Sequence, residues 1–201
     1  ALEYCDLAVN IYQGCVHKCS YCYVPGILRK KPEDFHAAAP PRPGIVESVQ
    51  KQLAASNWRG REIMLCFTCD PYPIGCDTTA TREVIKAIKE SGNHVRSLTK
   101  GDETAQRDFD LLDGNDWFGV TWSGGESEEP GAAFHEQRHQ NLYLANHYGI
   151  KTWMSCEPVI EPATIYVAIK KFDCVDAWKI GKLNHRPSPV DWAAFGRQAE
   201  A

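Results

Sequence analysis

The sequence predicts an α/β fold built on a parallel sheet. Strand-like and helix-like stretches alternate six times along the 201 residues, and each helix then serves as the crossover that returns the chain to the same sheet end. Polar residues recur at the carboxyl ends of the strands, where barrels of this architecture gather their chemistry. Six units are fewer than the eight that close a barrel. The strand pattern therefore fits an open partial (β/α)6 barrel of TIM type or, equally, a flat doubly wound sheet. Length and composition fit a single domain.

Leu7 to Tyr12 alternates as a strand, with Leu7, Val9 and Ile11 on one face and Ala8, Asn10 and Tyr12 on the other. It feeds Gly14 and a cysteine-rich loop. Pro25, Pro32, Pro40, Pro41 and Pro43 predict irregular chain from Pro25 to Gly44. Ile45, Val46, Val49 and Leu53 then share a helical face, and Ile63 to Thr68 is strand-like until Pro71 and Pro73 stop the run. Thr79 to Ser91 reads as a helix with Val84, Ile85 and Ile88 inward and Gly92 as its stop. His94 to Thr99 is a strand ending in Lys100 and Gly101, Glu103 to Leu112 a helix, and Trp117 to Trp122 a further strand. The loop from Ser123 to Gly131 leads to a long helix, Ala133 to Tyr148, expected to bury Leu142, Ala145 and Tyr148. Lys151 to Ser155 is a strand running into Cys156, Glu157 and Pro158, and Pro162 opens a helix that reaches Lys171. Val175 to Ile180 is the sixth strand, followed by Gly181 to Asn184. Ser188, Pro189 and Asp191 read as cap, first-turn proline and first-turn acid of a closing helix.

The chain is organised around Cys15, Cys19 and Cys22, three of its nine cysteines, in the spacing C-x3-C-x2-C. Such a spacing lets three thiolates converge from one short loop. Three thiolates hold three corners of a [4Fe-4S] cluster and leave the fourth iron open for chemistry, whereas an electron-transfer cluster normally takes four. A zinc knuckle using Cys15, Cys19, Cys22 and either His17 or a distant residue is the rival reading, because zinc accepts three sulfurs and an imidazole. No second C-x-x-C pair stands at zinc-ribbon spacing. His17 otherwise reads as a loop residue beside the cluster. Disulfides are disfavoured by the odd cysteine count and by the lack of an apolar leader.

With Tyr21 just before its third cysteine, the motif resembles the signature of the radical S-adenosylmethionine (radical SAM) superfamily. The order of further segments is similar to the spore photoproduct lyase branch. The matching pieces are Asn10 to Cys15, Tyr21 to Tyr23, Thr68 to Asp70, Thr99 and Lys100, Ser123, Glu129 to Gly131 with Arg138, and Gly149 to Lys151 followed by Pro158. This resemblance implies the partial barrel rather than the flat sheet. It also implies SAM chelated at the open iron, reductive cleavage to a 5′-deoxyadenosyl radical and hydrogen abstraction from a substrate, with a flavodoxin or ferredoxin-type protein as electron donor. In the lyase a cysteine and two tyrosines relay a hydrogen atom back to the product radical. Tyr21 and Tyr23 match the tyrosines, Phe67 stands at the cysteine's place, and Cys69 is the candidate replacement donor. Alternation along the strand is expected to send Cys66 and Cys69 to opposite faces. A chain that begins and ends close to the core is expected to lack the segments with which the lyase holds damaged DNA. Thymine-dimer repair is therefore not the expectation, and the substrate stays unidentified, with nucleic acid one candidate.

The chemistry of SAM sets further demands. Lys100 or Arg138 would meet its carboxylate, Arg138 bidentately, and Asp70 would accept from its ammonium. Ser123 and Glu157 would address ribose and adenine, and Tyr21 would pack on the adenine face. Arg138 has a competing use in pairing with Glu136 or the acidic loop. A net charge of -4 announces no nucleic-acid binder, and no apolar run is long enough to cross a membrane. Reduced cysteines and an oxygen-sensitive cluster point to the cytoplasm.

Overall fold

The structure, a computed structural model, describes residues 4–183, 187, 188 and 190–199. Strands β1 (Leu7–Val9), β2 (Glu62–Leu65), β3 (His94–Thr99), β4 (Trp117–Thr121), β5 (Lys151–Cys156) and β6 (Ala177–Ile180) form one sheet in chain order, every neighbouring pair parallel. Helices α1 (Val24–Leu28), α2 (Pro32–Phe35) and α3 (Ile45–Ala55) lie between β1 and β2, and α4 (Thr79–Glu90) follows β2. A 3-10 segment, Glu103–Leu111, follows β3. Helices α5 (His135–His147) and α6 (Pro162–Lys171) follow β4 and β5, and α7 (Trp192–Ala199) comes after β6.

Alternation along the strands decides between barrel and flat sheet. Ile63, Leu65, Val95, Phe118, Val120, Met154 and Cys156 pack in one core with the helix residues Val49, Leu53, Ile85, Ile88, Leu142 and Ile165. Each such side chain, taken from water, contributes roughly 1.5–3 kcal/mol. The other strand face gives Met64 and Trp153 to a second cluster with Cys5, joined by Tyr4, Leu98, Trp117 and Ala177 and by no helix residue among the described ones. Helices thus cover one face alone, as in a barrel wall, whereas a doubly wound sheet is covered on both. The sheet is an open partial barrel with β1 and β6 as its edges. Tyr4, just before β1, spans the gap: its hydroxyl donates to Glu157, and Lys179 Nζ stands 3.5 Å from its ring centroid. The same ring lies 5.8 Å from Trp153 and 6.0 Å from Phe67.

Several local expectations change. The prolines do not keep 25–44 irregular, because Pro25 and Pro32 sit in the first turns of α1 and α2, where no intrahelical N–H is needed. Strand β1 stops at Val9, and Tyr12 makes only an isolated bridge with Pro41. Strand β2 stops at Leu65, since Cys66 takes a φ of 59° that no strand accommodates. The helix after β3 is 3-10, with the Asp102 carboxylate accepting from the Thr104 N–H at 3.1 Å. Tyr148 is 62% exposed rather than inward, because it lies beyond the last turn of α5, at the C-cap. Asp191 rather than Ser188 caps α7, accepting from the N–H groups of Ala193 and Ala194 at 3.0 Å. Asn184 and Pro189 lie outside the described residues.

Candidate functional site

The cysteine loop leaves β1 and is clamped from two sides. On one, the Cys15 N–H donates to the Phe35 carbonyl at 3.1 Å, and His36 Nδ1 lies 2.8 Å from the Cys15 carbonyl. On the other, the Ser20 N–H donates to the Glu128 carbonyl at 2.8 Å and the Gly131 N–H to the His17 carbonyl at 2.9 Å. Two glycines permit this approach. A Cβ on Gly14 would lie 2.2 Å from the Ala38 oxygen, and one on Gly131 would lie 2.3 Å from the Val16 oxygen. The proline-rich segment and the acidic loop after β4 are therefore the two jaws that fix the loop's backbone.

Held in this way, Cys15, Cys19 and Cys22 line one cavity of about 270 Å³ together with residues at the carboxyl ends of the strands. All nine cysteines are free. Burial is the largest cause pushing the Cys15, Cys19 and Cys22 thiols up, and the Asp70 carboxylate adds to it at Cys15. Left alone these sulfurs stay protonated, and a metal bound there would displace the protons.

A buried charge cluster backs the loop. Glu129 and Arg138, 2% and 1% exposed, pair at 2.6 Å. Arg138 also donates from Nε to the Ala133 carbonyl at 2.8 Å and from a terminal nitrogen to the Thr121 carbonyl at 2.9 Å. The Tyr21 hydroxyl donates to the other Glu129 oxygen. Burial by itself would raise the Glu129 carboxyl, but the Lys100 and Arg138 cations overcome it and hold it below the ordinary range. Burial likewise opposes the Lys100 charge, and the Cys19 sulfur when it is a thiolate, with Glu129 and Asp70, reverses that to a net rise. The Lys100 ammonium stands 5.7 Å from the Tyr21 ring centroid.

Asp70 ties the strand ends together. Its Oδ1 accepts from the Tyr72 N–H at 2.8 Å and the Thr99 hydroxyl at 2.6 Å; its Oδ2 accepts from the Lys100 N–H at 2.8 Å and faces His17 Nδ1 at 3.4 Å. His17 is 1% exposed and lines the cavity, and its Nε2 has no hydrogen-bond partner among the described residues. Burial outweighs the Asp70 carboxylate and lowers the His17 pKa, so the ring is neutral.

Of the residues singled out from sequence, Cys15, Cys19, Cys22, Tyr21, Tyr23, Cys69, Asp70, Lys100 and Glu157 come together on the cavity wall. Ser123 and Arg138 do not line it. Ser123 is fully buried, its Oγ accepting from the Gly125 N–H at 3.3 Å, and Arg138 is committed to the acidic loop, the competing use that its sequence context offered. The expected divergence of Cys66 and Cys69 fails because β2 ends one residue before Cys66, and both residues line the same cavity. Sequence reasoning gave Glu129 and Cys66 no site role and read His17 only as a zinc-ligand alternative or a loop residue. The Pro-Gly pair after Glu129 and the position of His17 between two cysteines were the available signals.

The fold and the cavity define a partial parallel barrel with a three-cysteine loop at its mouth. No family model matches the chain. Uncharacterized proteins of Mycobacterium bovis and Mycobacterium tuberculosis are 28% identical over 115 residues, 52% of this chain and 32% of theirs. The chain thus spans about a third of the length of these curated relatives. Among solved structures the fold is shared with spore photoproduct lyase. A mutant of that enzyme with bound AdoMet and dinucleoside spore photoproduct matches at a TM-score of 0.72 and 18% identity, over 100% of this chain and 61% of the lyase. A lyase complex with the dinucleoside spore photoproduct matches at 0.71 with the same identity and coverage.

Proposed function

We propose that this chain is a radical SAM enzyme. Cys15, Cys19 and Cys22 hold a [4Fe-4S] cluster, SAM binds in the adjoining cavity, and a hydrogen atom is taken from a substrate for which nucleic acid is the leading candidate. The observation that carries this reading is the convergence of three free cysteines on one cavity whose wall also includes Lys100 and His17, the latter with a buried Nε2 that has no hydrogen-bond partner among the described residues. That wall fits a group needing three sulfur ligands beside a bound amino-acid moiety. Bound there, the cluster would supply the one-electron reducing chemistry that SAM cleavage needs.

The chain's own residues then have separable tasks. Lys100 attracts the SAM carboxylate. Asp70, its oxygens engaged by backbone and Thr99, orients His17; with the proton on Nδ1 facing Asp70, Nε2 is the acceptor for the SAM ammonium. Glu157 is the further polar wall group for ribose or adenine. Arg138 acts through Glu129, which fixes Tyr21 beside the cysteines. Tyr21, Tyr23 and Cys69 are candidates for returning a hydrogen atom to the product radical. The likeness to a lyase solved with AdoMet and a dinucleoside supports the SAM and nucleic-acid parts. A flavodoxin or ferredoxin-type protein in the cytoplasm supplies the electron. Among the described residues no helix is long and apolar enough to cross a membrane.

The zinc-module alternative is not favoured, because the solved structures that share the fold are of spore photoproduct lyase. Anaerobically reconstituted and reduced protein is expected to form 5′-deoxyadenosine from SAM even without substrate, measured by chromatography. No such nucleoside from fully iron-loaded protein would overturn the proposal.

A further inference from the structure

Cys66 and Cys69 form a second sulfur site on the cavity wall, separate from the three-cysteine loop. We propose that they are a redox-active dithiol, which closes to an intrachain disulfide by exchange with a low-molecular-weight disulfide entering the cavity. The φ of 59° at Cys66 ends β2 and turns the chain, so that both residues of this C-x-x-C pair line the same cavity instead of lying on opposite strand faces. Both line the cavity; Cys66 is buried at 4% exposure, while Cys69 is only half-buried and is the sulfur a reagent reaches first. The cavity that both residues line is open to solvent, which gives a low-molecular-weight disulfide a route to them. The neighbouring Cys66 thiol lowers the Cys69 thiol pKa against the opposing effect of burial, which marks Cys69 as the attacking nucleophile.

The exchange balances without a further reagent. Cys69 thiolate attacks one sulfur of RSSR, forming a Cys69–SR mixed disulfide and releasing RS⁻, which takes the proton that Cys69 lost. Cys66 then attacks the Cys69 sulfur, forming the Cys66–Cys69 bond and expelling a second RS⁻ that takes the Cys66 proton. Two electrons pass from the pair to RSSR, and excess RSH reverses the reaction. Closure removes both S–H bonds from the cavity wall, so the oxidised form has no hydrogen donor at these two positions. That last consequence rests on the proposed radical chemistry, and the thiol exchange itself does not.

The test is to equilibrate the anaerobic protein in glutathione buffers of varied ratio, block free thiols, then reduce and label the remainder differently. Mass spectrometry of the tryptic peptide 62–82, which carries Cys66, Cys69 and Cys76, reads the result. The expected outcome is paired loss of two free thiols at Cys66 and Cys69 as the buffer becomes oxidising. Cys66→Ser should stop at a glutathione adduct on Cys69, and Cys76→Ser should close as the parent does. The Cys15→Ala/Cys19→Ala/Cys22→Ala chain, which makes no cluster, should still close, and this separates the dithiol from the proposed function. Retention of both free thiols at every ratio, or pairing of either with Cys76 or a loop cysteine, would overturn the proposal.

Discussion

Cys19→Ala is expected to lose iron and 5′-deoxyadenosine formation together while the fold survives. The loop's path is set by backbone contacts that do not use the Cys19 sulfur: Cys15 to Phe35, Ser20 to Glu128 and Gly131 to His17. Removing the sulfur would therefore take a ligand from the proposed cluster without releasing the jaws. Changing a residue that merely supports a metal ligand costs about 10–100-fold in affinity or activity, so loss of a ligand should exceed about 100-fold. Iron per chain, SAM turnover and the circular dichroism spectrum measure the three effects separately. SAM cleavage persisting in Cys19→Ala would mean that these three cysteines are not the ligands.

Arg138→Met is expected to be the most destabilising change outside the hydrophobic core. It strands the Glu129 carboxylate, 2% exposed, in a site where Arg138 supplied a 2.6 Å ion pair. Breaking one side of a buried pair costs about 3–5 kcal/mol, while replacing both partners is often close to neutral. Lys100 and the Tyr21 hydroxyl still face Glu129, which argues for the lower end of that range. Adding Glu129→Gln should restore much of the loss, read as the midpoint of urea denaturation. The pH dependence has a definite sign. Because Glu129 is held below its ordinary value, its contribution is complete above an unfolded carboxyl pKa of about 4.3 and fades as pH falls through the lower folded value. Glu129→Gln alone should therefore flatten the acid limb of the stability profile.

The strands and crossovers were legible because their apolar residues repeat with the right periods, as in His94–Thr99, which spans β3 without adjustment. What the period could not say was which face the helices cover. Met64, Leu98, Trp117 and Trp153 are as apolar on the concave side as Leu65, Val120 and Met154 are on the convex one, and strands buried on both faces read alike in barrels and flat sheets. The cysteine loop was legible from spacing alone. Its support was legible only in part: the sequence offered Arg138 a partner in the acidic loop, but Glu129 sits in a run of acidic residues that looks solvated, and the fold alone picks it out as the buried one. Cys66 escaped because a left-handed φ on a non-glycine residue leaves no mark in a sequence, so alternation was extended one residue beyond the true end of β2. Tyr4 precedes any periodic stretch, and its reach to Glu157 depends on how the sheet curls.

Metal analysis of anaerobically purified protein, with and without SAM, tests the central claim most directly. The account predicts brown protein carrying about four irons per chain, with a paramagnetic signal on reduction that changes when SAM is added. Colourless protein holding one zinc per chain, indifferent to iron, sulfide and SAM, would contradict it.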